Sequence, residues 1–149
     1  PGQSAQPLRK IASGGELSRI MLALKSILAG NDRVSVMVFD EIDANIGGRL
    51  GSVVGRKMRQ LAGSNSDASH QVLCITHLPQ IAAFADHHLH IAKTTDGKDT
   101  RTTVAPLDGD ARLAELAEML SGKAFTDAGL AQASDLLQAA QLDAAGSER

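Results

Sequence analysis

Tryptophan and tyrosine are absent from this 149-residue sequence, and three phenylalanines are its only aromatic residues. Proteins that hold single-stranded nucleic acid without sequence preference stack bases on aromatic side chains, so a binder of that class has almost nothing to build on here. One cysteine, Cys74, excludes an internal disulfide framework. It lies in the apolar run Val72 to Ile75, where a small buried hydrophobe is the expected role, ahead of a nucleophile or ligand. Neither sign of charge is in large excess: 15 Lys and Arg against 17 Asp and Glu leave a net charge of -2, without the global basic field that drives phosphate neutralisation. No run approaches the roughly 18 consecutive apolar residues of a membrane span, and no charged-then-apolar signal segment opens the chain. A soluble, cytoplasmic protein is the expectation.

What the sequence does have is a hydrophobic content of 43%, enough for one buried core and one compact unit over residues 1–149. Pro1 to Pro7 carry no period and read as a lead-in. Leu17, Ile20, Met21, Leu24, Ile27 and Leu28 recur at three and four, one face of an amphipathic helix closed by Gly30 and Asn31. Val34 to Phe39 is apolar on both parities, as expected of a strand covered on both faces, and it stops at Asp40 and Glu41. A second helical stripe follows in Leu50, Val53, Val54, Met58 and Leu61, then a polar loop from Gly63 to Ser69 and a second strand from Val72 to Thr76. Pro79 opens another helix, where its missing amide hydrogen is harmless. Leu89 to Ala92 and Thr102 to Ala105 flank Asp96-Gly97 and predict an antiparallel hairpin, with more polar residues between them than a two-residue turn needs. Stripes ending at Leu120 and Leu137 predict two closing helices, with Ala140 to Arg149 as a fraying end. Helix, strand, helix, strand is the order of an α/β layer with a largely parallel sheet flanked by helices, the later hairpin extending an edge.

Sheets of that kind place ligands at the carboxyl ends of their strands, and the polar residues gather there. Asp40 at the mouth of a buried strand is placed to hold Mg²⁺ through water, and Glu41 beside it to orient an attacking water; a solvated strand end is the plain alternative. Asp43 adds a third acid, and the mutual repulsion calls for a compensating cation or metal-bound phosphate. His77 follows the second strand directly and would emerge at the same edge as Asp40 if the two strands are neighbours, with Nε2 able to donate to a phosphate oxygen in either the neutral or the charged state. Upstream, Ser13 and Glu16 have the spacing of a capping box, which accounts for both residues but not for Gly14 and Gly15 between them. Two bare residues at a helix amino terminus also suit the approach of an anion. His87, His88 and His90 mimic a metal cluster, but strand alternation sends neighbours to opposite faces, and no Cys or acid has matching spacing.

In this order the residues resemble the ABC ATPase superfamily. Ser13-Gly14-Gly15-Glu16 is similar to its signature motif, Val36 to Glu41 to the Walker B strand, Asp43 onward to the D-loop, and His77 to the switch histidine. The runs Ala12 to Arg19, Phe39 to Asp43 and Thr76 to Gln80 resemble the RecN family of SMC-like DNA repair proteins, and the similarity extends to about Leu137. Family members often have Gly at the position of Asn45 and Ser at that of Gly47, exchanges among turn formers. The resemblance implies an α/β C-terminal lobe of an ABC-type ATPase head in a bacterial cytoplasm. It further implies that Asp40 assists Mg²⁺, Glu41 is the catalytic base, His77 reads the γ-phosphate of ATP, and Ser13, Gly14, Gly15 and Glu16 meet a nucleotide held by a second head, with Asp43 at the dimer interface. No G-x-x-x-x-G-K-[ST] phosphate loop occurs in the sequence. In this family it belongs to an N-terminal lobe, so that lobe, a second head and DNA are the implied partners, and the chain alone is expected to be inactive. A head lobe of another SMC-like or RecF-like ATPase, or a docking lobe without hydrolysis, are the alternative readings.

Overall fold

The computed structural model describes Pro7 and residues 12–28, 34–63, 70–97, 99–122 and 126–146. Helix α1 spans Gly14–Leu28, strand β1 Val36–Phe39, helix α2 Gly48–Ala62, strand β2 Gln71–Cys74 and the short helix α3 Pro79–Ala82. Strands β3 (His88–Asp96) and β4 (Asp99–Leu107) follow, then helices α4 (Gly109–Ser121) and α5 (Asp127–Gly146). The expected lead-in, the Gly30–Asn31 helix end and most of the Gly63–Ser69 loop lie outside the described residues, as does the end of the chain beyond residue 146.

β1 and β2 pair in parallel from Val36↔Gln71 to Phe39↔Cys74, and Ile75 N–H extends the ladder to Phe39 O at 3.0 Å. Both strands therefore end at the same edge. Among the described residues the sheet stops at these two strands, and β3–β4 forms a separate antiparallel ribbon. The expected largely parallel sheet with the hairpin on its edge is thus corrected to two small sheets, one of each kind. The hairpin is also longer than its apolar residues mark. Thr94 to Asp96 and Asp99 to Arg101 are polar yet paired, and Asp96↔Asp99 leaves a two-residue turn in which Gly97 takes φ +59.

The core gathers around α3. Leu22, Met37, Phe39, Ile42, Val54, Met58, Leu61 and Ile81 form the largest buried cluster, between α1, the β1–β2 sheet, α2 and α3. Ala82 joins Leu116, Ala117 and Ala133 of α4 and α5, while Ala83 and Phe84 join Ala140 of α5. Successive residues of one short helix and the turn after it thus serve three clusters, where a single core was expected. α2 lies close to this segment because it presents glycine: a methyl group at Gly55 would sit 2.6 Å from the Phe84 ring and 3.2 Å from Gln80 O. Arg112 donates to Ala82 O, Ala83 O and Ala85 O, and Arg59 donates to Phe84 O, so the carbonyls at the end of α3 are satisfied by two guanidinium groups.

Two apolar faces are left open. In β1, Met37 and Phe39 are buried while Val36 and Val38 are 46% and 63% exposed; in β2 and just after it, Leu73 and Ile75 are 43% and 53% exposed. The expectation of a strand covered on both faces holds for one face only. The periodic stripe of α1 is likewise outward, with Ile20, Met21, Leu24, Ile27 and Leu28 exposed; the face toward the core carries Gly15 and Leu22. Periodicity identifies a helix, but it does not say which layer covers the stripe.

Candidate functional site

The loop from Asp40 to Ala44 leaves β1 and turns back at once, a path that requires unusual backbone: Glu41 has φ +56 and Asn45 φ +59. Asn tolerates the left-handed region because its short amide can bond locally. Glu41 has no such excuse, so its conformation is held by its surroundings. Those surroundings are α1. Ser18 Oγ donates to Asp40 O at 2.9 Å, and Arg19 Nη1 donates to Ile42 O at 2.9 Å and Ala44 O at 3.0 Å. Sequence reasoning singled out neither Ser18 nor Arg19. The signal was available: they stand four residues after Gly14 and Gly15, on the same helical face.

Gly14 and Gly15 make this approach possible. A methyl group at Gly14 would lie 2.6 Å from Glu41 Oε2, and one at Gly15 would lie 2.7 Å from Glu41 O and 2.9 Å from Ala44 Cβ. The two glycines are therefore packed against the loop of their own chain, and the Glu41 carboxylate rests beside the positive end of α1. Ser13 and Glu16 form the expected capping box: Ser13 N–H donates to Glu16 Oε2 at 2.8 Å and Glu16 N–H to Ser13 Oγ at 3.3 Å. Hydrogen bonds from the Ser13 amide and hydroxyl hold the Glu16 carboxyl below its ordinary value against the opposing effect of desolvation, with a lesser contribution from the Arg19 charge.

Asp40 is exposed at the strand end, and its Oδ1 accepts the Glu41 amide at 2.8 Å. Asp43, three residues on, is in a different situation, with only 4% of its surface exposed. Its Oδ2 accepts Thr76 Oγ1–H at 2.6 Å and the His77 amide at 2.7 Å, and it lies 2.9 Å from His77 Nδ1. The expected cluster of three mutually repelling acids resolves into two exposed carboxylates and one buried anion satisfied by its own chain. Burial pushes the Asp43 carboxyl up, but the Thr76 hydroxyl, the His77 amide and the His77 charge outweigh it, and the group titrates below its ordinary value. Thr76 was not singled out from sequence. Its hydroxyl also accepts Leu78 N–H at 3.0 Å, so one threonine ties the ends of the two strands together.

His77 keeps 75% of its side chain exposed. Asp40, Glu41 and His77 thus share one sheet edge, with the amino terminus of α1 against Glu41. This edge presents two exposed carboxylates, an imidazole and a capped helix terminus; among the described residues no three acids, histidines or cysteines stand together as a direct metal cluster. Asp40 could meet a cation through water, since only its Oδ1 is engaged among the described residues, and by one backbone amide.

Sequence comparison agrees with the motifs that this edge brings together. The chain is 46% identical over 143 residues to the DNA repair protein RecN of Streptomyces coelicolor, 48% over 142 residues to that of Mycobacterium leprae and 46% over 140 residues to that of Vibrio cholerae. These matches cover 96%, 95% and 94% of the chain. Over nearly its whole length the chain is similar to RecN. It spans about a quarter of the length of these RecN relatives, the matches covering 24%, 23% and 24% of them. No protein-family model matches it. The matched stretch contains every residue of the site, from the Ser13 cap through the Asp40–Asp43 loop to His77. Among the described residues no helix is long and apolar enough to cross a membrane.

Proposed function

We propose that residues 1–149 form one lobe of an ATP-hydrolysing head that serves DNA repair, completed by a lobe carrying the phosphate loop and by a second head. The observation that carries this reading is the meeting of Asp40, Glu41 and His77 at the carboxyl ends of two paired parallel strands, with α1 packed on Glu41. The repair role comes from the RecN relatives, whose names state it. Asp40 would hold Mg²⁺ through water, Glu41 would take the proton of the attacking water, and His77 would meet the γ-phosphate. When bound, Mg²⁺ spreads the charge that develops on the phosphate oxygens. Ser13, Gly14, Gly15 and Glu16 would face nucleotide held by the second head, and Asp43 would support that interface from beneath, through His77. The phosphate-loop lobe would cover the open face of β1–β2 and the outward stripe of α1, since parallel strands are stable when both faces are buried.

In a head assembled from both lobes, Glu41→Gln is expected to keep nucleotide binding while turnover falls by at least about a hundredfold, the scale of a lost general base. A steady-state ATPase assay beside a nucleotide-binding measurement decides it. Turnover within about tenfold of wild type, about 1.4 kcal/mol of barrier, removes Glu41 from the role of base.

A further inference from the structure

We propose that Asp43, anchored by Thr76, is a positioning residue that fixes His77 as its Nδ1–H tautomer, leaving Nε2 with a bare lone pair whenever the ring is neutral. Two donors converge on Asp43 Oδ2, the Thr76 hydroxyl at 2.6 Å and the His77 amide at 2.7 Å, and the His77 ring nitrogen Nδ1 lies 2.9 Å from the same oxygen. An ionised carboxylate carries no hydrogen, and a bare Nδ1 lone pair 2.9 Å from its oxygen would be repelled, so the neutral ring favours its hydrogen on Nδ1. The carboxyl titrates below its ordinary value, in keeping with a permanent anion at this place. Thr76 contributes twice, since its hydroxyl donates to Asp43 and accepts from the Leu78 amide, which sets the direction of the O–H. His77 is also bonded through its own amide to the same oxygen, so backbone and ring are fixed together.

The consequence concerns what His77 can recognise. A neutral Nδ1–H ring offers Nε2 as an acceptor, and phosphate oxygens are acceptors too, so the two do not pair. Contact with phosphate therefore requires the doubly protonated ring, which carries a hydrogen on Nε2 as well. In the neutral state the same nitrogen instead accepts from a donor such as a water or a hydroxyl. The tautomer stands on the contacts of this chain; its meaning for a phosphate rests on the function proposed above. The two fail separately, because Glu41→Gln is read as turnover of an assembled head and the tautomer as a spectrum of this chain.

The test is the pattern of two-bond couplings between ring protons and ring nitrogens in the ¹⁵N-labelled chain at about pH 9, above the ordinary histidine range. His77 is assigned by loss of its signals in His77→Gln, and exposed His87 serves as the internal reference. Expected is a pyrrole-like Nδ1 and a pyridine-like Nε2 for His77, with Nδ1–H favoured by at least about tenfold, as close approach to an ionised carboxylate warrants. Thr76→Val, which keeps the shape and deletes the hydroxyl, is expected to reduce that excess several-fold. A His77 ring protonated at Nε2, or a mixture matching His87, overturns the proposal, whatever the variant does. A Thr76→Val spectrum unchanged from wild type removes Thr76 from the device.

Discussion

Burial raises the Cys74 thiol from 9.0 to about 12, and the charges of Asp43 and Asp40 push in the same direction. Three decades less thiolate predicts a silent cysteine: at about pH 8 a thiol reagent is expected to modify the folded chain at least about a hundredfold more slowly than the chain in denaturant. Labelling followed by mass spectrometry checks this, and equal rates would show that β2 opens readily. Asp43 gives a prediction in pH. Its folded-state titration is lowered, so its stabilisation is fully present above the unfolded carboxyl value of about 3.9 and is lost as pH falls through the folded one. Asp43→Asn is expected to lower stability at neutral pH by about 1–3 kcal/mol and to approach wild type as the pH drops below about 4. Urea titrations across that range measure the gap; a gap independent of pH means that some other acid carries the acid limb.

At the scale of elements, α1 and the loop after β1 are a single packed unit, and its two glycines are not equivalent. The atom in the way at Gly14 is the tip of the flexible Glu41 side chain, whereas at Gly15 it is the Glu41 carbonyl and the Ala44 methyl group. Gly15→Ala is therefore expected to destabilise the fold by about 1–3 kcal/mol, because backbone must shift to admit it. Gly14→Ala should leave stability within about 0.5 kcal/mol and move the Glu41 carboxylate instead, lowering turnover in an assembled head. Thermal melts of both variants and an ATPase assay of the second separate these effects. Equal losses of stability would mean that the loop is looser than its contacts with Ser18 and Arg19 imply. The capping box was legible from spacing alone, since both of its bonds lie within one turn. The contact that explains the glycines was not legible, because it joins residues 26 or more apart in sequence.

For the whole molecule, the open faces of β1–β2 and α1 matter most. Val38 is 63% exposed in the middle of a strand whose other face is core. Val38→Lys is expected to change the stability of this chain by no more than about 0.5 kcal/mol, as surface substitutions do, while preventing association with the phosphate-loop lobe. Pull-down or calorimetric titration between the two lobes reads the second effect, and association at wild-type strength would place the covering layer elsewhere. The chain by itself, without a phosphate loop, is expected to show no Mg²⁺-dependent ATP binding at micromolar concentration. Calorimetry that detects such binding would mean that this lobe holds nucleotide without a partner.

Local rules were enough to find most of the elements and the order of the motifs. Three- and four-residue periods marked α1, α2, α4 and α5, Pro79 marked the start of α3, and abrupt changes from apolar to acidic marked the end of β1. Each of these depends on neighbours within a turn or two, and such information is written in the sequence. Tertiary structure alone decided which way the stripe of α1 faces, that one face of each parallel strand stays open, and that the hairpin stands apart from the parallel pair. It also decided the fate of Asp43. In sequence that residue is one more acid beside Asp40 and Glu41; in the fold it is turned inward onto Thr76 and His77, 33 and 34 residues away. A carboxylate's role depends on which donors reach it, and donors that arrive from another strand are set by the pairing of β1 with β2, which no local pattern encodes.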